Sequence, residues 1–216
     1  MIFNFSHTTR KERKGTTARG FSLVELIIAV GIFMIISTAL LFNYSSFNSR
    51  IQLDTLAQQI GQWVRDAQVT AMSVRQAVGS TTQFPGYGLH FDMANTGQFI
   101  YFADLNGNRI YDAGGTCGTA GVECEKVIKL LKGSRIVSLC GLTNGQASTA
   151  ACPNPLGASS QFDIVFKRPN PDALITGDKN GSNFPTTYSQ AIIKIASVKN
   201  YQRTIEVWLT GQISVR

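Results

Sequence analysis

Four polar side chains able to ligate a cation fall at regular spacing in one short segment. Asp104, Asn106, Asn108 and Asp112 take positions 1, 3, 5 and 9 of the string D-L-N-G-N-R-I-Y-D, an order that overlaps the oxygen-rich loops that wrap calcium. Two parts of such a loop are missing. Arg109 stands where the sharp turn wants glycine, and Gly115 stands where a bidentate glutamate would close the cage. The competing expectation is a hairpin turn whose Asp and Asn side chains bond their own backbone, and Asn106-Gly107 is a strong signal for it. A site with so few charged ligands would hold its ion weakly, so the turn is favoured, with calcium as the alternative and no other cofactor implied.

Cysteine is the second candidate chemistry. Cys117, Cys124, Cys140 and Cys152 all lie in one Gly-, Ser-, Thr- and Ala-rich stretch. Four cysteines in an exported chain predict two disulfides with three possible connectivities. Cys117–Cys124 and Cys140–Cys152 are favoured because each closes a short local loop. A four-cysteine zinc site fits poorly: the intervening lengths of 6, 15 and 11 residues contain no CxxC knuckle, and His90 stands alone in the chain beyond His7. Catalytic motifs are missing altogether. There is no HExxH, GxSxG or Walker loop, and no histidine paired with a nucleophile, so the chain is expected not to be an enzyme.

The elements that must carry these residues change character along the chain. Residues 21–42 are a nearly unbroken apolar run with one carboxylate, Glu25, near its start. A charge inside a membrane-length helix costs about 2.5–3.5 kcal/mol on insertion scales, so it calls for a partner. From residue 43 the apolar positions recur at steps of three and four through Leu53, Leu56, Ala57, Ile60, Trp63, Val64, Ala67, Ala71, Val74 and Val78. Gln52, Asp54, Gln58, Gln59, Gln62, Arg65, Asp66 and Gln68 fill the other face, the pattern of an amphipathic helix that wants a sheet or helices over it. One helix over residues 21–78 would be about 87 Å long. Residues 79–86 read as a stop and linker, and from Tyr87 the period becomes two.

Strands are predicted over residues 87–93, 98–103, 126–131, 135–139, 161–167, 190–197, 204–209 and 212–215, with turns at 95–97 and 210–211. Residues 114–121, 141–160 and 169–187 are expected to be long polar surface loops. The fold class is therefore α+β: a long N-terminal helix packed on a mostly antiparallel head spanning 79–216.

Charge is lopsided. Of the formal +7, residues 1–20 contribute five basic side chains (Arg10, Lys11, Arg13, Lys14, Arg19) against Glu12, and the remainder carries fifteen basic and twelve acidic residues. A basic segment ahead of an apolar helix holds that end on the cytoplasmic side, so the charge is mainly a topology signal. A secretory signal peptide is removed together with its apolar core. Here Gly20, the small residue before a plausible cut, precedes the apolar run, which would stay on the mature protein. A simple single-pass anchor would need no carboxylate, and Glu25 argues against it.

The string Gly20-Phe-Ser-Leu-Val-Glu25-Leu resembles the processing signal of the type IV pilin and type II secretion pseudopilin superfamily. The resemblance implies that prepilin peptidase cuts between Gly20 and Phe21, removing 1–20, and methylates the new amino terminus. Residues 21–42 would then be the transmembrane and filament-core helix, with Glu25 an assembly determinant. The partners implied are the cytoplasmic membrane, an inner-membrane assembly platform and other pilin or pseudopilin subunits, with the head outside the cytoplasm. The hairpins Y-G-L-H-F and F-I-Y-F-A-D-L-N-G-N-R-I-Y-D and the closing T-I-E-V-W-L-T-G-Q-I-S-V are similar to GspH/FimT-type heads, which implies a minor subunit near a filament tip. A filament-tip binding module, for DNA uptake or adhesion, is the alternative. Lys126, Lys129, Lys132, Arg135 and Arg216 are its candidate DNA contacts, but charges on strands usually mark a solvated face, and the weak net charge argues against DNA.

Overall fold

A computed structural model describes residues 20–73, 84–131, 133–143, 161–178 and 185–216, without the side chains of 42–46, 178 and 185. The chain divides into two compact units at Tyr44/Ser45, within helix α1 (Leu23–Met72). The helix is two residues shorter at its start than the periodicity predicts, and Ser73 is already a turn. The 74–78 end of the expected helix lies outside the described residues.

In the N-terminal unit, residues Leu23–Leu41 have a mean hydropathy of 2.5 and none of this stretch is buried. In the second unit the helix buries Leu53, Leu56, Ala57, Ile60, Val64, Ala67 and Ala71, as the stripe predicts. Gln68, assigned above to the solvent face, is buried too. Its amide nitrogen donates to the Pro171 carbonyl (2.9 Å) and its oxygen accepts from Arg65 Nη1 (2.5 Å), so both ends of the amide are carried inside hydrogen-bonded.

Among the described residues ten antiparallel strands form two sheets. The first has six strands in the order β3 (Cys124–Lys129), β2 (Gln98–Asp104), β1 (Gly86–Asp92), β5 (Gln161–Lys167), β6 (Asn170–Asp178), β7 (Pro185–Tyr188). The second runs β10 (Ile213–Val215), β9 (Gln202–Trp208), β8 (Gln190–Ala196), β4 (Arg135–Leu142). The apolar stripe of the helix and residues from both sheets form one core, with Leu89, Phe91 and Ile164 from the first sheet and Leu139, Ile193 and Val207 from the second. The α+β class is as the sequence predicts.

The expected surface loop over 169–187 is overturned in part: β6 and β7 occupy much of it. Gly177 makes room for Phe162 at 2.8 Å from where a Cβ would stand. The Tyr188 ring lies 5.8 Å from Phe162, and a Cβ on Gly141 of the other sheet would overlap that ring. Two glycines thus let one tyrosine bridge the sheets, which is a packing reason for their lack of a side chain.

Strand β1 departs from simple in-and-out alternation. Tyr87, Leu89 and Phe91 face the core, yet Gly88 and His90 on the opposite face are buried as well. Residues 105–123, between β2 and β3, cover that outer face: the Tyr111 ring lies 4.7 Å from His90 and 5.4 Å from Phe102.

Candidate functional site

The N-terminal candidate is built from very few residues. Gly20, Phe21 and Ser22 precede the helix, and the Ser22 carbonyl accepts the first intrahelical bond from Leu26 N (3.1 Å). Ser22 and Glu25 stand at the spacing of a capping box, and a carboxylate in the first turn is favoured by the helix dipole. That role accounts for an acid at position 25 but not for the bare apolar surface after it. Phe21 is 80% exposed, and Leu23, Ile27, Phe33 and Leu41 are exposed along with it. The Leu23–Leu41 stretch of 19 residues rises about 28 Å, close to the apolar thickness of a bilayer. Each such side chain contributes about 1.5–3 kcal/mol on full burial, so this surface wants lipid or neighbouring apolar helices.

In the head, the 104–112 segment is folded by its own side chains. Asp104 is buried, with Oδ1 accepting from Gly107 N (2.7 Å) and Oδ2 from Arg109 N (3.1 Å). Asn106 Oδ1 accepts from Asn108 N (2.9 Å) and Asn108 Oδ1 from Ile110 N (2.8 Å). Both amides donate to Asp112 Oδ2, at 2.6 and 2.8 Å. These are Asx turns, but no hairpin forms at Asn106-Gly107: β2 ends at Asp104 and β3 starts at Cys124, so the segment opens a long loop. Arg109 adopts φ 70°, the left-handed conformation that favours glycine.

Glu123 completes the loop and was not singled out by the sequence pattern. Its carboxylate accepts from Leu105 N (3.1 Å) and Asp112 N (2.8 Å), tying the two ends together. Burial pushes its pKa above the usual glutamate value, and the Asp112 and Asp104 charges add to the rise against those two hydrogen bonds. Among the described residues no group of three or more His, Cys, Asp or Glu side chains is arranged to hold a metal ion.

A disulfide joins Cys117 to Cys124 with Cα atoms 4.6 Å apart, and Gly118 N donates to the Cys124 carbonyl (2.8 Å). Cys140 is buried on β4, 3.3 Å from Ser138 Oγ. Cys152 lies outside the described residues.

His90, which the sequence leaves alone, has a partner. Its Nδ1 is 2.7 Å from Asp163 Oδ1, and the two residues are cross-strand partners on β1 and β5. Both are buried. Asp163 also accepts the Tyr111 backbone N–H, and desolvation, the largest influence, holds its pKa above the usual aspartate value despite these partners. Burial and the Glu123 charge likewise push the Tyr111 phenol up. A buried carboxylate therefore fixes the histidine and also pins the covering loop to the sheet.

The basic candidates do not share a face. Lys126 and Lys129 are three residues apart on β3, so the pleat sends them to opposite sides, and Lys126 lies over the Trp63 ring at 5.2 Å. Arg135 is on β4 of the other sheet and donates to Asn200 Oδ1 (3.1 Å). Arg216 stands 3.7 Å from Glu206. Lys132 lies outside the described residues.

Residues 16–41 match the model of the prokaryotic N-terminal methylation motif, the signal of type IV pilin-like proteins. The match brackets Gly20, Phe21, Glu25 and most of the apolar helix. It implies processing by prepilin peptidase and assembly with other pilin-like subunits, a structural and non-enzymatic role, and it is consistent with membrane anchoring. Neither a curated protein nor a solved structure matches the chain.

Proposed function

We propose that the protein is a minor subunit, of the GspH/FimT type and close to the tip, of a type II secretion pseudopilus or type IV pilus. The observation that carries the reading is the methylation motif placed at the start of a helix whose Leu23–Leu41 stretch is wholly unburied. Prepilin peptidase would cut between Gly20 and Phe21. The helix would first hold the chain in the cytoplasmic membrane, head outside, and then pass to the filament core through the assembly platform. A head that closes on a hairpin, with Gly211 at φ 77° between β9 and β10, fits the GspH/FimT resemblance.

Glu25 then has a definite role. In a stack of subunits its carboxylate can meet the positive amine of Phe21 on a neighbour, which offsets the desolvation of both charges. An exported, oxidised head accords with the Cys117–Cys124 bridge, and Cys140–Cys152 is proposed as the second. Mass spectrometry of protein from a peptidase-competent host tests the reading. A chain that starts at N-methylated Phe21 supports it, and an intact residue 1 refutes it. Glu25→Ala should then be cleaved and inserted normally while failing to enter filaments.

A further inference from the structure

We propose that a cleft on the outer face of the six-stranded sheet binds an organic ammonium group, carried by a lysine side chain of a partner protein or by a free alkylamine. The cleft has a volume of about 200 Å³ and lies between the ends of β1, β2 and β5 and the loop that carries Tyr111. His90 and Asp92 are two apart on β1 and share a face; Gln161 is the cross-strand partner of Asp92. Gln98, Asn95 and Tyr111 complete the polar wall.

The chemistry of that wall selects the ligand. His90 is only 5% exposed, and its Nδ1 is held by Asp163 at 2.7 Å. Asp163, which also accepts the Tyr111 N–H, engages Nδ1, so Nε2 is the ring nitrogen it leaves free, and in the Nδ1–H tautomer Nε2 carries a lone pair. Among the described residues Nε2 has no hydrogen-bond partner, and the ring lines the cleft. An acceptor at the wall of an open cleft is available to a ligand's donor. Asp92 accepts from Ala94 N (2.8 Å) and Asn95 Nδ2 (3.0 Å), and its oxygens have lone pairs left. The Gln161 and Gln98 side-chain carbonyls are further acceptors.

Among the described residues no lysine or arginine lines the cleft. Lys129, opposite Gln98 across β2 and β3, is exposed and outside the lining. One carboxylate, Asp92, thus lines a cavity that lacks a lysine or arginine among the described residues, which disfavours anions and favours a cation. An ammonium supplies three donors in a compact head, matching an imidazole nitrogen, a carboxylate and an amide oxygen, and the Tyr111 ring at the margin favours a cation further. The small volume admits an alkylammonium but falls below the about 300–1,000 Å³ of pockets for drug-sized molecules.

The test uses the full chain in detergent micelles with His7→Gln, which leaves His90 as the single imidazole. Its ¹⁵N resonances are followed while n-butylammonium, n-butanol or butyrate is added. A saturable shift at Nε2 with butylammonium, absent with the alcohol and the carboxylate at equal concentration, is the expected result. Asp92→Asn keeps an oxygen for Ala94 N and should weaken binding at least tenfold, the loss of one charge-assisted hydrogen bond. Gln161→Ala, an exposed change, should weaken it a few-fold and carries the test should Asp92→Asn not fold. Nα-acetyl-lysine methylamide separates the sources: tighter binding than butylammonium assigns a protein lysine, and weaker binding a free amine. No saturable shift, an equal shift with butanol, or unchanged affinity in folded variants would overturn the proposal.

Discussion

Breaking the His90–Asp163 pair should be far more damaging than removing it. Asp163→Leu takes away the acceptor for both His90 Nδ1 and the Tyr111 N–H inside a buried site. Loss of one member of a buried pair costs about 3–5 kcal/mol, because the other group is left without compensation. His90→Leu strands the Asp163 carboxylate and should cost a similar amount, eased by the Tyr111 N–H that it keeps. The double variant His90→Leu/Asp163→Leu leaves one orphan, the Tyr111 N–H, at about 1–3 kcal/mol, and apolar side chains replace the rest. The singles together should therefore exceed the double by at least about 2 kcal/mol. Urea unfolding followed by tryptophan fluorescence measures each free energy, and the three values close a double-mutant cycle. Single effects that add to the double within about 0.5 kcal/mol would mean that the two side chains do not act as a unit, and the reasoning would fail.

Four further outcomes follow from particular residues. Arg109→Gly should stabilise the head by about 1 kcal/mol, since Arg109 holds φ 70° against the preference of any residue with a Cβ; a loss of stability in thermal unfolding would contradict this. Glu123 has a folded-state pKa above its unfolded value, so its protonation favours the fold at low pH, and that contribution is lost as pH rises through the folded pKa. The stability of wild type relative to Glu123→Gln should therefore decline from about pH 4 towards 7, and a difference that grows with pH would reverse the sign. Replacing Cys117 and Cys124 by serine opens a loop of sequence separation 7 and should cost about 2.5 kcal/mol by the chain-entropy relation, read from the shift in unfolding midpoint. Millimolar calcium should leave the thermal midpoint in place because the Asp104, Asn106, Asn108 and Asp112 side chains already bond within the loop; a saturable upward shift would assign a cation to it.

What was legible in the sequence was whatever is decided locally. The helix stripe from Leu53 to Ala71 and the strands β1, β2 and β5 follow from periodicity, and β5 has its predicted bounds. Strands β6 and β7 were not legible. Asn170-Pro-Asp and Thr176-Gly-Asp have the composition of turns, and Pro185 opens the last strand of that sheet. Their extended form comes from pairing, Ile175 against Ile164 and Tyr188 against Ile175, between residues that no local window holds together. Proline at the start of a short edge strand is tolerated because no neighbour needs its missing N–H. Gln68 failed for a related reason: its acceptor, the Pro171 carbonyl, is 103 residues away.

The candidate sites divide along the same line. Gly20, Phe21 and Glu25 are neighbours in sequence, so their signal is read directly from the string. The head's polar constellation joins His90 on β1, Asp163 on β5 and Tyr111 on the covering loop, and nothing in their spacing announces a meeting. Two weaker signals were present. Asp163 is a lone charge inside the apolar run F-D-I-V-F, and a buried carboxylate demands a partner. Glu123 sits just before a cysteine whose disulfide returns the chain to Cys117, which brings its carboxylate back beneath Leu105 and Asp112. A charge that interrupts an apolar strand is thus a reason to search the neighbouring strand's outer face for a histidine. Here that search leads from Asp163 to the only histidine in the sequence besides His7.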